Sequence, residues 1–171
     1  MAQHNEVEFE RELCEHLAAN GWFYSPSDDG YDEQRALFRD DVFAWLEETQ
    51  PEELAKRLKP GLPASAVEKA KNNVLDRLAK VLDVGQPGGG TLHVLRTGFK
   101  DTPASFAMMQ PRPELGGNAT TEARYAANRL RVMRQVHYST KNHNSLDLVF
   151  FVNGIPVATA ELKTDFTQSV N

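Results

Sequence analysis

The chain of 171 residues holds a single cysteine, Cys14, which excludes an internal disulfide and with it the disulfide scaffolds of small secreted domains. No apolar run approaches the roughly 18 residues of a membrane-spanning helix. The opening Met-Ala-Gln-His-Asn-Glu-Val-Glu has no basic stretch leading into an apolar one, so it does not read as a secretory signal. A cytoplasmic location is the simplest expectation. Gly85-Gln86-Pro87-Gly88-Gly89-Gly90 is not followed by Gly-Lys-Ser/Thr, so it is a flexible break and not a phosphate loop. His4, His16, His93, His137 and His143 lack metal-ligand spacing, and zinc is not expected. No Ser, His and Asp arrangement suggests acyl transfer, and there is no internal repeat or low-complexity tract.

What is there fits one soluble domain: 40% apolar residues supply a core, and 25% are charged. The net charge of −5 points away from nucleic acid, but its distribution is uneven. Residues 1–60 carry fifteen acids and six bases, a net of −9. Residues 120–145 carry five bases, Arg124, Arg129, Arg131, Arg134 and Lys141, against Glu122 alone, a net of +4. Such a stretch reads either as a phosphate-tracking surface or as a solvated helix face.

Helical patterns come first. Asn5 followed by Glu8 reads as an N-cap with its capping-box acid, opening a helix that runs to about Asn20 and stops at Gly21. Trp22-Phe23-Tyr24 reads as a short strand. Residues 38–48 and 51–59 read as helices parted by Pro51. Residues 64–82 form a longer helix with Val67, Ala70, Val74, Leu75, Leu78 and Leu82 at helical spacing. After the glycine break, 91–99 and 105–110 look like strands, 120–131 like a short basic helix, and 132–138 like another strand. Residues 146–152 and 155–163 are strands around Asn153-Gly154, a strong hairpin signal. Helices followed by a mostly antiparallel sheet predict an α+β fold, a sheet flanked by helices.

The chemistry concentrates in Asp147, thirteen residues, then Glu161-Leu162-Lys163. Glu161 and Lys163 are two apart on a strand and share a face. Carboxylates and a lysine within apolar strands are costly unless used. Two carboxylates beside a lysine suit phosphodiester hydrolysis, with Asp147 and Glu161 as ligands of Mg2+ and Lys163 orienting water or neutralising developing charge. Strand parity adds a demand. A plain two-residue loop at Asn153-Gly154 would set Asp147 opposite Ala160, on the wrong face for Glu161. A three-residue loop, or an equivalent bulge, brings Asp147 to the face of Glu161 and Lys163. On the first helix, Phe9, Leu13 and Leu17 define an inward face at about 100° per residue, and Glu6 and Glu10 fall on it while Glu8, Glu12 and Glu15 do not. An inward acid calls for a partner or a metal, and Glu10 is the better placed.

These residues carry a resemblance. The run from Leu146-Asp147-Leu148-Val149-Phe150-Phe151-Val152-Asn153-Gly154 to Ala160-Glu161-Leu162-Lys163 is similar to the N-terminal nuclease domain of the R (motor) subunit of type I restriction enzymes. Glu6-Val7-Glu8-Phe9-Glu10-Arg11-Glu12-Leu13, with Leu17 and Gly21-Trp22, resembles the start of that domain, as does Arg134-Gln135-Val136-His137-Tyr138-Ser139 leading to Asn142 and Asn144. The resemblance implies a PD-(D/E)XK restriction-endonuclease-like core in the superfamily of that name, with a central mixed sheet flanked by helices. It implies Asp147 as metal-binding aspartate, Glu161 as second acid, Lys163 as catalytic lysine, and Glu10 as the helix acid that completes the site. Residue 146 is Leu where the family name has proline. The glutamine–tyrosine motif of related nucleases is not assigned, although Gln168 is present. The implied activity is Mg2+-dependent cleavage of unmodified double-stranded DNA, after translocation by an ATP-driven motor that this chain lacks. The implied partners are modification and specificity subunits. The chain then reads as a single domain, 1–171, from the N-terminus of a larger subunit.

The competing reading is a non-catalytic docking domain that uses the acidic stretch 28–53 to contact the motor or the recognition subunits. A standalone resolvase-like nuclease is a third. Cys14 reads as core, Trp22 and Trp45 as core or as contacts to further domains, and His137 and His143 as ordinary strand and loop residues near the basic segment.

Overall fold

The computed structural model describes residues 2–27, 29–85, 87–114, 118–137 and 145–162, with side chains from Val7 onward. Helix α1, Ala2–Ala19, begins before Asn5, so Asn5 lies inside it and does not cap it. Nothing in Ala2-Gln3-His4 breaks a helix, and the helix extends through them. Its other end is as expected. Gly21 takes φ +89, its N–H donates to the Ala18 carbonyl, and the Trp22 N–H donates to that of Leu17. This paired closure uses two carbonyls the helix leaves over, and it turns Trp22 back onto Leu17 in one apolar cluster.

The chain then forms β1, Phe23–Ser25, and a small hairpin of β2, Tyr31–Asp32, with β3, Leu37–Phe38. Helices α2, Arg39–Thr49, α3, Pro51–Ala55, and α4, Ala64–Leu82, follow. The helix expected over 51–59 stops early. Pro60 disfavours helical backbone before it, and Gly61 turns at φ +81. Residues 91–97 are helix α5, Thr91–Thr97, where a strand over 91–99 was expected. Periodicity does not separate strand from helix in so short an apolar run, and here the glycines at both ends decide. Gly90 and Gly98 take φ +87 and +73. A Cβ on Gly98 would lie 2.1 Å from the Phe106 carbonyl oxygen. Strands β4, Phe99–Asp101, and β5, Ala104–Phe106, pair as a hairpin. Beyond β5 the backbone has no strand partner, and a side chain stands in. Gln50 accepts from the Ala107 N–H and donates to its carbonyl, each at 2.8 Å, and Trp45 donates to the same carbonyl.

The basic helix is shorter than expected. Helix α6, Ala119–Ala126, is capped by Asn118, whose side chain accepts from the Thr121 N–H, and Arg131 belongs instead to β6, Leu130–His137. Strands β7, Ser145–Val152, and β8, Ile155–Ala160, complete a four-stranded sheet in the order β1-β6-β7-β8. β1 runs parallel to β6 and the other pairings are antiparallel, giving the mixed sheet of an α+β core with flanking helices. One face meets α1 through Cys14, Leu13 and Leu17 against Val132, Leu148 and Phe150. The other meets Phe38 and Tyr31 through Met133, Val136, Val149 and Phe151. The largest apolar cluster lies beyond the β7–β8 turn, where Trp45, Leu46, Val74, Leu75, Leu78, Val94 and Phe106 pack with Ile155.

The turn itself is buried there. Asn153 is fully enclosed. Its backbone N–H reaches the Arg129 carbonyl, its side-chain oxygen accepts from the Arg129 N–H at 2.7 Å, and its amide donates to Met108 and Asn128. A Cβ on Gly154 would lie 2.4 Å from the Phe38 carbonyl oxygen, so only glycine fits.

Candidate active site

Asn153 and Gly154, at φ +49 and +81, form a two-residue turn closed by Val152 and Ile155. That loop alone would misplace Asp147. The ladder does not keep that register. Phe151 pairs with Pro156 but Phe150 pairs with Ala158, so Val157 is an extra residue in β8 and a bulge. Beyond the bulge Leu148 faces Ala160, the last pair of the ladder, and Glu161 lies just past it. A bulge of the kind the two acids call for is therefore present, and a three-residue loop is not.

Asp147 sits where β7 leaves the core, and its carboxylate is held from two sides. The Leu162 N–H donates to Oδ2 at 2.8 Å, and the Gln135 side-chain amide donates to Oδ1 at 3.4 Å. The same amide nitrogen reaches Glu10 on α1 at 3.3 and 3.5 Å, while the Gln135 side-chain oxygen accepts from Ser145. One amide thus joins the helix acid to the strand acid. Glu10 is buried at 3% exposure, as its inward position predicted. Phe9, placed by the same helical wheel on the inward face, is exposed at 56%. The face that packs is centred on Glu10, Leu13, Cys14 and Leu17, and Phe9 falls off its edge. Glu161 is exposed. Lys163, Lys141 and Gln168 lie outside the described residues, and the side chain of Glu6 does as well.

Glu10 is charge-compensated. Arg134 Nε donates to its Oε1 at 2.8 Å, and a weaker contact runs from Arg134 to the Tyr24 hydroxyl. The Glu10 hydrogen bond, partly offset by burial, holds the Arg134 guanidinium in its charged form even more firmly than usual. A buried acid without this partner would be strongly disfavoured.

The other arginines of the basic segment also have internal work, which the sequence reading did not foresee. Arg129 Nε donates to Asp41 Oδ1 at 2.9 Å, and Arg131 Nε to Asp41 Oδ2 at 2.6 Å. Arg131 also donates to Ser25, and its guanidinium lies 3.8 Å above the Phe38 ring centre. Arg129 stacks 4.3 Å over Phe23. Asp41 is 1% exposed. Arg124 donates to the Thr49 carbonyl from an exposed position between two open clefts of about 320 and 300 Å3. Neither cleft includes a carboxylate of the candidate site. The Asp41 cluster was invisible in sequence because its partners lie about 90 residues apart, with no local pattern to link them.

Glu10 and Asp147 are all-oxygen donors, the kind a hard divalent cation takes, and Mg2+ commonly uses only one or two carboxylates with substrate phosphate completing its shell. The residues present fit that ion. Among the described residues no three His, Cys, Asp or Glu side chains gather as a metal-binding group, so Glu10, Asp147 and Glu161 do not close into a cage by themselves.

A mixed sheet with a helix across one face and flanking helices has the layout of an α+β nuclease-like core. The comparison with known families goes further. Residues 3–171 match the family described as the type I restriction enzyme R protein N terminus, and the chain belongs to it. No curated protein and no solved structure matches the chain. No helix among the described residues is long and apolar enough to cross a membrane.

Proposed function

We propose that this chain is the DNA-cleaving domain of a type I restriction enzyme R protein, hydrolysing phosphodiester bonds of double-stranded DNA with Mg2+ as cofactor. The observation that supports it best is the linkage of Asp147 to Glu10 at the open end of the sheet, in a chain of this family. Asp147 and Glu161 would hold the ion, and Lys163 and Glu10 complete the site. When bound, the metal lowers the pKa of a coordinated water and offsets charge building on phosphorus. The protein's own part is positional. The Leu162 N–H and the Gln135 amide fix the Asp147 carboxylate, each taking one lone pair and leaving others free. Lys163 would neutralise the charge on the non-bridging phosphate oxygens and orient the attacking water, whose oxygen would join phosphorus as the bond to the leaving oxygen breaks, the water's proton passing to solvent and the leaving oxygen taking one up from solvent. Arg124, Lys141 and the outer edges of Arg129, Arg131 and Arg134 would contact phosphates. For the last three, that role comes in addition to the internal ion pairs. The ATP-driven motor lies outside this chain, and modification and specificity subunits would supply the choice of DNA.

The test is a pair of assays on the same intact R protein, assembled with its partner subunits. Asp147→Ala, Glu161→Ala and Lys163→Ala are each expected to abolish cleavage while ATP hydrolysis persists. Wild-type cleavage by Asp147→Ala or Lys163→Ala overturns the assignment. The docking reading draws on the lack of a closed metal-binding group among the described residues. It predicts that these substitutions leave cleavage intact, so the same assays decide between the two.

A further inference from the structure

Gln135 adopts φ +49 in the middle of β6, a left-handed conformation that a non-glycine residue takes only at a cost. The strand does not need it for pairing. The ladder from β6 to β7 holds its register on both sides, with Arg134 facing Leu148 and Val136 facing Leu146. What the conformation changes is direction. Met133 and Val136, three apart, share the Phe38 cluster, and so do Val149 and Leu146 on β7. Strict alternation would send each pair to opposite faces. Both strands change face at the same rung, the one occupied by Gln135 and Asp147.

At that rung the side chains converge. Arg134 and Gln135, adjacent in sequence, both reach Glu10, and Gln135 alone also reaches Asp147. Reversing the amide would set its oxygen against two carboxylates, and the Ser145 hydroxyl fixes the orientation by donating to that oxygen. Gln135 is itself exposed, so packing of its side chain does not account for the conformation.

We infer that Gln135 is a positioning residue of the metal site, its left-handed backbone serving to aim one amide at both Glu10 and Asp147. The inference rests on the nuclease reading above. Hydrogen-bond partners of ligating carboxylates keep the ligand oriented before the ion arrives, and losing one such partner commonly weakens metal binding by about 10–100-fold. A purely structural role makes a different demand, because the backbone turn that buries Val136 needs only a residue that tolerates positive φ. Glycine does so more readily than glutamine.

Gln135→Gly therefore separates the two. In the 171-residue chain, Mn2+ binding followed by titration calorimetry is expected to weaken about tenfold or more. The melting temperature in EDTA should stay at or above the wild-type value. In the intact R protein the Mg2+ concentration for half-maximal DNA cleavage should rise in proportion while ATPase activity is unchanged. Gln135→Asn, which also tolerates this backbone but is one methylene too short, should behave alike, and it serves as the reading if the glycine variant shows no melting transition. Wild-type or tighter Mn2+ binding in a folded variant overturns the inference. Asp147→Ala distinguishes the failures. If it neither cleaves nor binds Mn2+ while Gln135→Gly matches wild type, only the role of Gln135 falls. If Asp147→Ala cleaves normally, the site and the inference fall together.

Discussion

The two halves of the molecule bury different things. Around α2, α4, α5 and the β4–β5 hairpin the buried cluster is apolar throughout, and Trp45, Leu75, Leu78 and Phe106 are at most 1% exposed. The buried polar groups of this half, Thr49, Gln50 and Asn153, are uncharged amides and hydroxyls tied to backbone, and its ion pair of Arg57 with Asp101 keeps both side chains partly exposed. The sheet half instead buries Glu10 against Arg134 on α1's face, and Asp41 of α2 is drawn toward the sheet by Arg129 and Arg131. Apolar burial stabilises without further conditions, whereas a buried ion pair roughly breaks even against desolvation. The helical half thus has the composition of a part built for stability. The sheet half carries charges that stability alone does not call for, and one of its pairs, Glu10 with Arg134, sits where the candidate ligands do.

The contrast breaks most visibly by truncation in the helical half. Leu78→Ala or Trp45→Ala should cost about 4 kcal/mol, because each leaves a cavity in a closed cluster. Urea denaturation checks this, and a loss under about 1 kcal/mol would mean that the helical half is not the stabilising part. A smaller effect is expected in the sheet half, and its form matters more than its size. Glu10→Ala should cost about 3 kcal/mol by stranding Arg134, whereas Glu10→Met with Arg134→Met should come out near neutral. If the double variant were as unstable as the single one, the pair would be a structural requirement and the contrast would dissolve.

How much of this was legible follows from the range of the interactions. The 64–82 helix matched Ala64–Leu82 because its signal is local periodicity. The Asn-Gly turn and the inward Glu10 were legible for the same reason. The parity requirement at Asp147 could be derived as a need, but not its solution, since no residue in β8 announces the bulge at Val157. The strand expected over 91–99 failed where the meaning of Gly90 and Gly98 depends on what packs against them. The arginines of β6 looked like a solvent-facing basic stretch because their partners, Glu10 and Asp41, lie about 90 to 124 residues away in sequence. The left-handed turn at Gln135 left no trace in composition, since glutamine is not a residue that marks positive φ.

The smallest effect concerns Cys14, on the seam between α1 and the sheet. Its side chain is fully enclosed with Val132 and Leu148. Burial pushes its thiol from 9.0 up to about 11, with Arg134 drawing it down and Glu10 and Glu15 adding to the rise. The folded chain holds this proton more tightly than the unfolded chain does. The stability it contributes is therefore fully present below pH 9.0 and is lost as pH climbs toward about 11. At neutral pH the thiolate is scarcer than in an exposed cysteine by about a hundredfold, so alkylation must proceed through opening of the α1 seam. Iodoacetamide labelling under native conditions thus reads the sheet half by itself. Glu10→Ala should speed labelling more than Leu78→Ala does, although Leu78→Ala removes more total stability. The reverse order would mean that α1 leaves the sheet only when the helical cluster unfolds, and that the two halves, for all their difference in composition, open as one unit.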